Sequence, residues 1–257
     1  MIKDGIVVVH KAGKLKSIPL PDHRQLRCVD LLIKKYALDL SNASIADIGC
    51  NLGQLCYHLK ARFPSASIHG ADEYQTTEHD GHFDYKGHDL SKSFPFPDAS
   101  MDVVFALEII EHIVDTDHFL DECFRVTKPG GYTILSTPNI NFWRNRIAVP
   151  LGYYPYWVEY RIENYHVRYY NKATLRQHIC DLGFERPYVI GSHMLPTRLI
   201  TRYRWAKALS NLLATGVPAL APNLIAIARR PTAGRRAVVD RSRGTDAPVL
   251  VEQAKCN

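Results

Sequence analysis

The spacing of apolar positions changes period several times along the chain, and each change marks an element. Ile6–His10 and Leu15–Ile18 are short apolar-rich runs on either side of Lys11-Ala12-Gly13-Lys14, which predicts a small hairpin. Pro21-Asp22 then opens a helix, with Leu26, Val29, Leu32, Ile33 and Tyr36 recurring at helical spacing. From Ile45 onward short strands alternate with helices, the pattern of a mostly parallel sheet. The expected strands are Ser44–Asp47, Ser67–Ala71, Phe83–Gly87, Met101–Leu107 and Tyr132–Ser136. The helices between them are Gln54–Arg62, ending before Pro64, and Asp115–Val126, stopped at Lys128-Pro129-Gly130-Gly131. Met101–Leu107 is almost continuously apolar, as a strand buried on both faces should be.

The character shifts at Asn139–Tyr170. This stretch carries Phe142, Trp143, Tyr153, Tyr154 and further aromatics among four arginines, and it reads as an insertion over the carboxyl edge of the sheet. Alternation resumes with a helix Lys172–Leu182 and a strand Arg186–Gly191. A basic amphipathic helix over Thr197–Leu213 and a closing strand Asn223–Ala228 follow. The expected organisation is therefore an N-terminal hairpin and helix (1–40), an α/β domain (41–230) with a cap insertion at about 139–170, and a disordered tail (231–257).

Composition adds little to this. The chain has 257 residues, 46% hydrophobic and 23% charged, with a formal charge of +6, enough apolar material for one large domain. The basic excess lies mostly in the C-terminal third and is too diffuse for a duplex-binding face. Six cysteines without a CxxC pair suggest reduced thiols rather than a disulfide framework or zinc site. The N-terminus does not resemble a secretory signal, and the longest apolar stretch is broken by Gly216, Pro218 and Pro222. A cytoplasmic protein is expected.

Chemistry should appear in the loops after the strands, because open α/β sheets bind ligands beyond their strand carboxyl ends. After the first strand comes Asp47-Ile48-Gly49-Cys50-Asn51-Leu52-Gly53, whose glycines allow a tight turn and close approach of backbone to ligand. A carboxylate at Asp47 would repel a pyrophosphate seated on the next helix and would suit an ammonium or sulfonium instead. Position 51 is Asn, so the dinucleotide spacing G-x-G-x-x-G is missed, and an NAD-dependent oxidoreductase loses ground. Asp72 and Glu73 follow the next strand, Asp72 lying 19 residues past Gly53, where a carboxylate can accept from ribose hydroxyls. Asp89-Leu90 follows the third strand, where an Asp could accept from an adenine amino group.

These blocks, with Phe94–Val104, Leu107–Ile113 and Arg125–Gly131 in register behind them, resemble the class I S-adenosylmethionine-dependent methyltransferases. The resemblance is strongest to the small-molecule branch that includes ubiquinone and menaquinone biosynthetic enzymes. It implies a Rossmann-like, seven-stranded, mostly parallel sheet with an antiparallel last strand and helices on both faces. It also implies S-adenosyl-L-methionine as cofactor, with Asp47 and Gly49 near the methionine moiety, Asp72 on the ribose and Asp89 and Leu90 around the adenine. Glu108 would sit where the fourth strand opens onto the methyl group. Asn51 stands where the family more usually has glycine.

Methyl transfer from a sulfonium is an in-line displacement from an activated donor, so the protein has to align the acceptor, exclude water and, for a hydroxyl, remove a proton. The candidate bases are Glu111, His112 and His166. His79-Asp80-Gly81-His82 and His88 form no convincing metal motif, and no metal is expected. The aromatic insertion reads either as a lid over an acceptor pocket, with arginines for an anionic group, or as a satellite core. The basic helix Arg198–Leu213 reads either as a peripheral contact with an anionic membrane or as a packed helix with a solvated face. The expected partner is a small-molecule acceptor such as a sugar, polyketide or lipid-linked intermediate, methylated on oxygen, with no nucleic acid. The rivals are a non-catalytic nucleotide-binding module of the same fold and a nucleic-acid methyltransferase. Leu107-Glu108-Ile109-Ile110 lacks the Pro-Pro-aromatic element of the amino-methylating kinds of the latter.

Overall fold

The computed structural model describes residues 2–3, 6–11, 14–19, 23–73, 82–155, 166–192, 194–195, 199 and 202–232. The sequence-expected tail from 233, the His79 loop and part of the aromatic insertion (156–165) lie outside the described residues.

The N-terminal hairpin forms as Ile6–Lys11 (β2) and Lys14–Pro19 (β3), with Ile2–Lys3 (β1) adding a third antiparallel strand. Helix α1, His23–Tyr36, follows. The main sheet takes Ser44–Ile48 (β4), Ser67–Asp72 (β5), Asp84–Gly87 (β6), Met101–Leu107 (β7), Thr127–Pro138 (β8), Glu185–Gly191 (β9) and Asn223–Arg229 (β10). Their spatial order is β6-β5-β4-β7-β8-β10-β9, and β10 runs antiparallel to both of its neighbours. This is the seven-stranded mixed sheet expected, with its one reversed strand last in sequence.

Two apolar layers enclose the sheet, and the period-2 alternation of the strands sorts residues between them. In β7, Met101, Val104 and Ala106 enter one layer while Val103, Phe105 and Leu107 enter the other. The first layer is completed by Phe119, Leu120 and Cys123 of α3 (Thr116–Val126) and by Leu175 and Ile179 of α5 (Lys172–Asp181). The second is completed by Val29 of α1 and by Leu55, Cys56 and Leu59 of α2 (Gln54–Arg62). Asp115 caps α3, its side chain accepting from His118 N at 3.0 Å, and Asn171 and Thr174 form a reciprocal capping box on α5.

Several boundaries differ from the sequence expectation. β8 begins at Thr127, directly after α3, because Lys128-Pro129-Gly130-Gly131 does not stop the chain. Gly130 at φ 82 absorbs the bend, and the register against β7 shifts between Met101 and Val103. Of the expected helix Thr197–Leu213, the structure forms α6 over Arg204–Gly216. It ends where Pro218 forces Val217 out of helical geometry, at φ −130 and ψ 57. Phe83 precedes β6 instead of starting it. The aromatic segment after β8 forms α4, Trp143–Ala148, and a 3₁₀ turn Val149–Leu151. Cys50, Cys56 and Cys123 are free and buried, but Cys180 is disulfide-bonded, against the expectation of reduced thiols throughout. No helix among the described residues is long and apolar enough to cross a membrane.

Candidate active site

The carboxyl ends of β4, β5 and β7 converge on one edge of the sheet. Gly49 N and Cys50 N both donate to Ala71 O, at 2.8 and 3.2 Å, so the turn after β4 is stitched to the end of β5. Gly49 (φ 78), Asn51 (φ 48) and Gly53 (φ 74) all take left-handed backbone. That explains Asn51 without a glycine, since asparagine tolerates this region better than other side chains. At Gly53 a Cβ would come within 2.4 Å of Phe83 Cζ. Asn51 N donates to Asp72 Oδ2 at 2.7 Å, which ties the turn to the next acidic residue.

Asp47 is 4% exposed, and the Cys56 thiol donates weakly to its Oδ2 at 3.5 Å. Burial pushes its carboxyl up to about 7, with the nearby Asp72 adding to the rise. A buried carboxyl with so weak a partner suits a cationic ligand. Asp72 is buried, while Glu73 is exposed at the rim. Asp89 Oδ1 accepts from Ser91 N at 3.0 Å and Ser91 Oγ at 2.6 Å, bonds that hold its carboxyl below the usual range. Leu90 is buried beside it.

Glu108 follows β7 at φ 55, a strained position for a glutamate. Its carboxylate accepts from Ser136 Oγ at 2.7 Å and from Asn223 Nδ2 at 2.7 Å, so the ends of β7, β8 and β10 meet on one side chain. The 3₁₀ turn Ile110–His112 comes next. Ile109 packs directly on the glycine turn after β4, since a Cβ on Gly49 would lie 3.0 Å from Ile109 Cδ1.

The three sequence-nominated bases come together here. Val167 N and Arg168 N donate to Glu111 O at 2.8 and 3.2 Å, bringing the distant 166–169 segment across the end of β7. The His112 and His166 rings stand 4.9 Å apart, edge to face, and the ligand atoms of Glu111, His112 and His166 all lie within 4.8 Å of one another. Glu111 is 2% exposed, and its Oε2 has no hydrogen-bond partner. Burial first, and the charge of Glu108 second, raise its carboxyl well above the ordinary range. The shift favours the protonated form of Glu111. His112 is exposed and His166 half-buried. The Arg168 guanidinium donates to Val114 O from Nε at 3.2 Å and Nη2 at 2.8 Å and so latches its own segment. Ser136 and Asn223 were missed by sequence reasoning. The available signal was a run of polar residues at the buried end of a strand.

A shallow concavity lined by Leu40, Asp102, Lys128 and Arg229 opens at the opposite, amino-terminal edge. Its Lys128–Asp102 ion pair, at 2.8 Å, is a contact within the protein, and none of the converging groups described above reaches it.

A doubly covered mixed sheet, a left-handed glycine turn beside a buried carboxylate, and acidic residues at successive strand ends define a class I methyltransferase domain. Residues 22–186 match the family model described as a methyltransferase domain, and the chain belongs to that family. A probable S-adenosylmethionine-dependent methyltransferase of Mycolicibacterium smegmatis is 31% identical over 163 residues, covering 63% of this chain and 48% of that protein. A ubiquinone biosynthesis O-methyltransferase of Bradyrhizobium is 34% identical over 117 residues, 43% of this chain and 46% of the relative. The chain thus spans about half the length of these curated relatives. Among solved structures, a S-adenosylmethionine-dependent methyltransferase from Mesorhizobium loti aligns with TM-score 0.56 at 17% identity, covering 79% of this chain and 98% of the other, a likeness of fold. S-Adenosyl-L-methionine is accordingly the cofactor of this domain.

Proposed function

We propose that this chain methylates an oxygen of a small-molecule acceptor, of the sugar, polyketide or lipid-linked kind. The observation that carries the proposal is the contact of Ile109 with Gly49, which sets the Glu111–His112–His166 group beside the cofactor turn. In this reading Asp47 and Gly49 face the methionine end of the cofactor, and Asn51 and Gly53 shape the turn. Asp72, with Glu73 at the rim, accepts from the ribose, and Asp89 and Leu90 border the adenine. Glu108 fixes the floor of the site.

Bound there, the cofactor supplies a methyl group on a sulfonium that is already a good leaving group. The protein's part is to hold the acceptor in line and to take its proton. We assign that task to the imidazole pair, exposed His112 and half-buried His166. Screening extract fractions with radiolabelled methyl donor identifies the acceptor. With that acceptor, His112→Gln and His166→Gln are compared with the parent. One of them is expected to lower kcat about 10²–10⁴-fold and to remove the rise in rate as pH crosses the imidazole range, with S-adenosylhomocysteine affinity unchanged. If both variants keep the parental rate and pH profile, the proton-acceptor assignment is wrong.

The same geometry favours a second reading. Two imidazoles and one carboxylate within 4.8 Å form a donor set that binds zinc-like ions, although the sequence suggested no metal. An ion there would ionise Glu111 and polarise the acceptor oxygen. Full methyl transfer in the presence of a strong chelator excludes this reading. Zinc binding abolished by His166→Ala supports it.

A further inference from the structure

One end of this protein differs from the rest of its surface. All sixteen exposed large apolar side chains among the described residues lie on segments that follow or join strand ends at the cofactor edge. Six fall within 143–154 and six within 199–217. Helix α6 buries Ala206, Ser210 and Ala214 and packs through this small face, with Ser210 Oγ accepting from Met194 N at 3.1 Å. Trp205, Leu209 and Leu212, at i, i+4 and i+7, share a neighbouring stripe that is left in solvent, Trp205 at 61% and Leu212 at 68% exposure. A helix stabilised only by packing would bury its large residues and expose its small ones. α4 repeats the arrangement with exposed Trp143 and Ile147.

Charge separates the partners that such a face could meet. The described residues 139–155 and 202–222 contain Arg144, Arg146, Arg202, Arg204 and Lys207, all exposed, and no Asp or Glu. Arg144 lies over the Trp143 ring at 5.4 Å and Arg202 over the Tyr203 ring at 5.5 Å, so the cations interleave with the aromatics. A second copy of the chain would bring five cations against five like cations. A nucleic acid would use the cations but leave Ile147, Leu209 and Leu212 without a role.

We propose that this end of the protein docks on an anionic phospholipid bilayer. Trp205, Leu209 and Leu212 enter the boundary between headgroups and acyl chains, and the arginines and Lys207 meet lipid phosphates. No described helix crosses a membrane, so the association is peripheral. It stands on the surface alone and does not depend on the methyl-transfer reading. Its consequence is that the mouth of the site faces the lipid, and an apolar acceptor reaches it without passing through water.

The test is flotation of the full chain with vesicles of phosphatidylglycerol and phosphatidylcholine, against phosphatidylcholine alone, at low and high salt. Selective partitioning onto the anionic vesicles, weakened by salt, is expected. Arg204→Gln with Lys207→Gln should weaken it about 30-fold, roughly fivefold for each cation. Trp205→Ser with Leu212→Ser should weaken it at least tenfold (an order-of-magnitude figure from apolar burial). These side chains are exposed, so the variants should keep the parental thermal midpoint, and Ile147→Ser with Leu151→Ser offers an independent pair. Absence of partitioning at low salt overturns the proposal. So does partitioning that survives both serine pairs, which would mark a general polyanion surface. Concentration-dependent dimerisation abolished by the same serines would place the patch between two copies and equally overturn it.

Discussion

Replacing Asp47 with Asn separates what this carboxyl costs the empty protein from what it contributes to binding. Asp47 titrates near 7 in the folded chain because it is buried with little compensation. In the unfolded chain it returns to its ordinary 3.8. The native state thus binds more protons than the unfolded state between those values, and stability falls as pH rises through that window. At about 1.4 kcal/mol for each tenfold change in proton affinity, the difference reaches about 4 kcal/mol above pH 7. Asn does not ionise. Cofactor-free Asp47→Asn should match the parent near pH 4 and exceed its stability by up to about 4 kcal/mol near pH 8.5. Binding should move the other way, because the cationic cofactor favours the ionised carboxyl. Parental affinity for S-adenosylhomocysteine, which keeps the ammonium, should rise with pH through about 7, whereas the variant should bind more weakly with no such rise. Urea denaturation at the two pH values and calorimetric titration measure both. Equal urea midpoints for parent and variant at the higher pH would refute the burial argument, and a parental affinity independent of pH would refute the cation assignment.

Asp72→Ala should weaken cofactor binding about 10–100-fold and cost about 1–3 kcal/mol of stability, because Asn51 N loses its acceptor. Asp72→Asn retains one oxygen acceptor and should recover the stability more than the affinity, which denaturation and calorimetry distinguish. Gly53→Ala adds a Cβ 2.4 Å from Phe83 Cζ at a φ of 74 and should cost about 2–4 kcal/mol. A smaller side chain at Phe83 should relieve the clash but not the backbone strain, as thermal midpoints of the single and double variants would show. Arg125 donates to both oxygens of buried Glu122 and to Phe94 O and Phe96 O. Arg125→Met leaves that carboxylate without its partner and should cost about 3–5 kcal/mol, readable in the same urea titration.

Local pattern reached the elements whose physics is local. α2 runs from Gln54 to Arg62 as its glycine entry and Pro64 exit dictate, and β7 runs from Met101 to Leu107 because both of its faces are buried. The tight turn at Gly49–Gly53 was legible for the same reason, since its constraints act within a few residues. β8 was read too short because Lys-Pro-Gly-Gly normally breaks a chain, while here the pairing of Thr127 with Met101 overrides it. The meeting of His112 with His166 was beyond reach. Nothing within either segment signals the other, and the link is a pair of backbone bonds to Glu111 O. The raised proton affinity of Glu111 was equally hidden, because it follows from tertiary burial beside Glu108.

The bonds that fix Glu108 carry a consequence for biosynthesis. Asn223, which holds one of its oxygens, opens the final strand, and that strand enters the sheet between β8 and β9, both made earlier. Among the described residues β9 pairs only with β10. A nascent chain still tethered at residue 222 therefore has its cofactor turn complete in sequence but lacks the clamp on Glu108. The ribosome must release the last strand before the catalytic end can set. A C-terminal truncation that removes Asn223 should yield a chain whose defect appears 115 residues earlier, at Glu108.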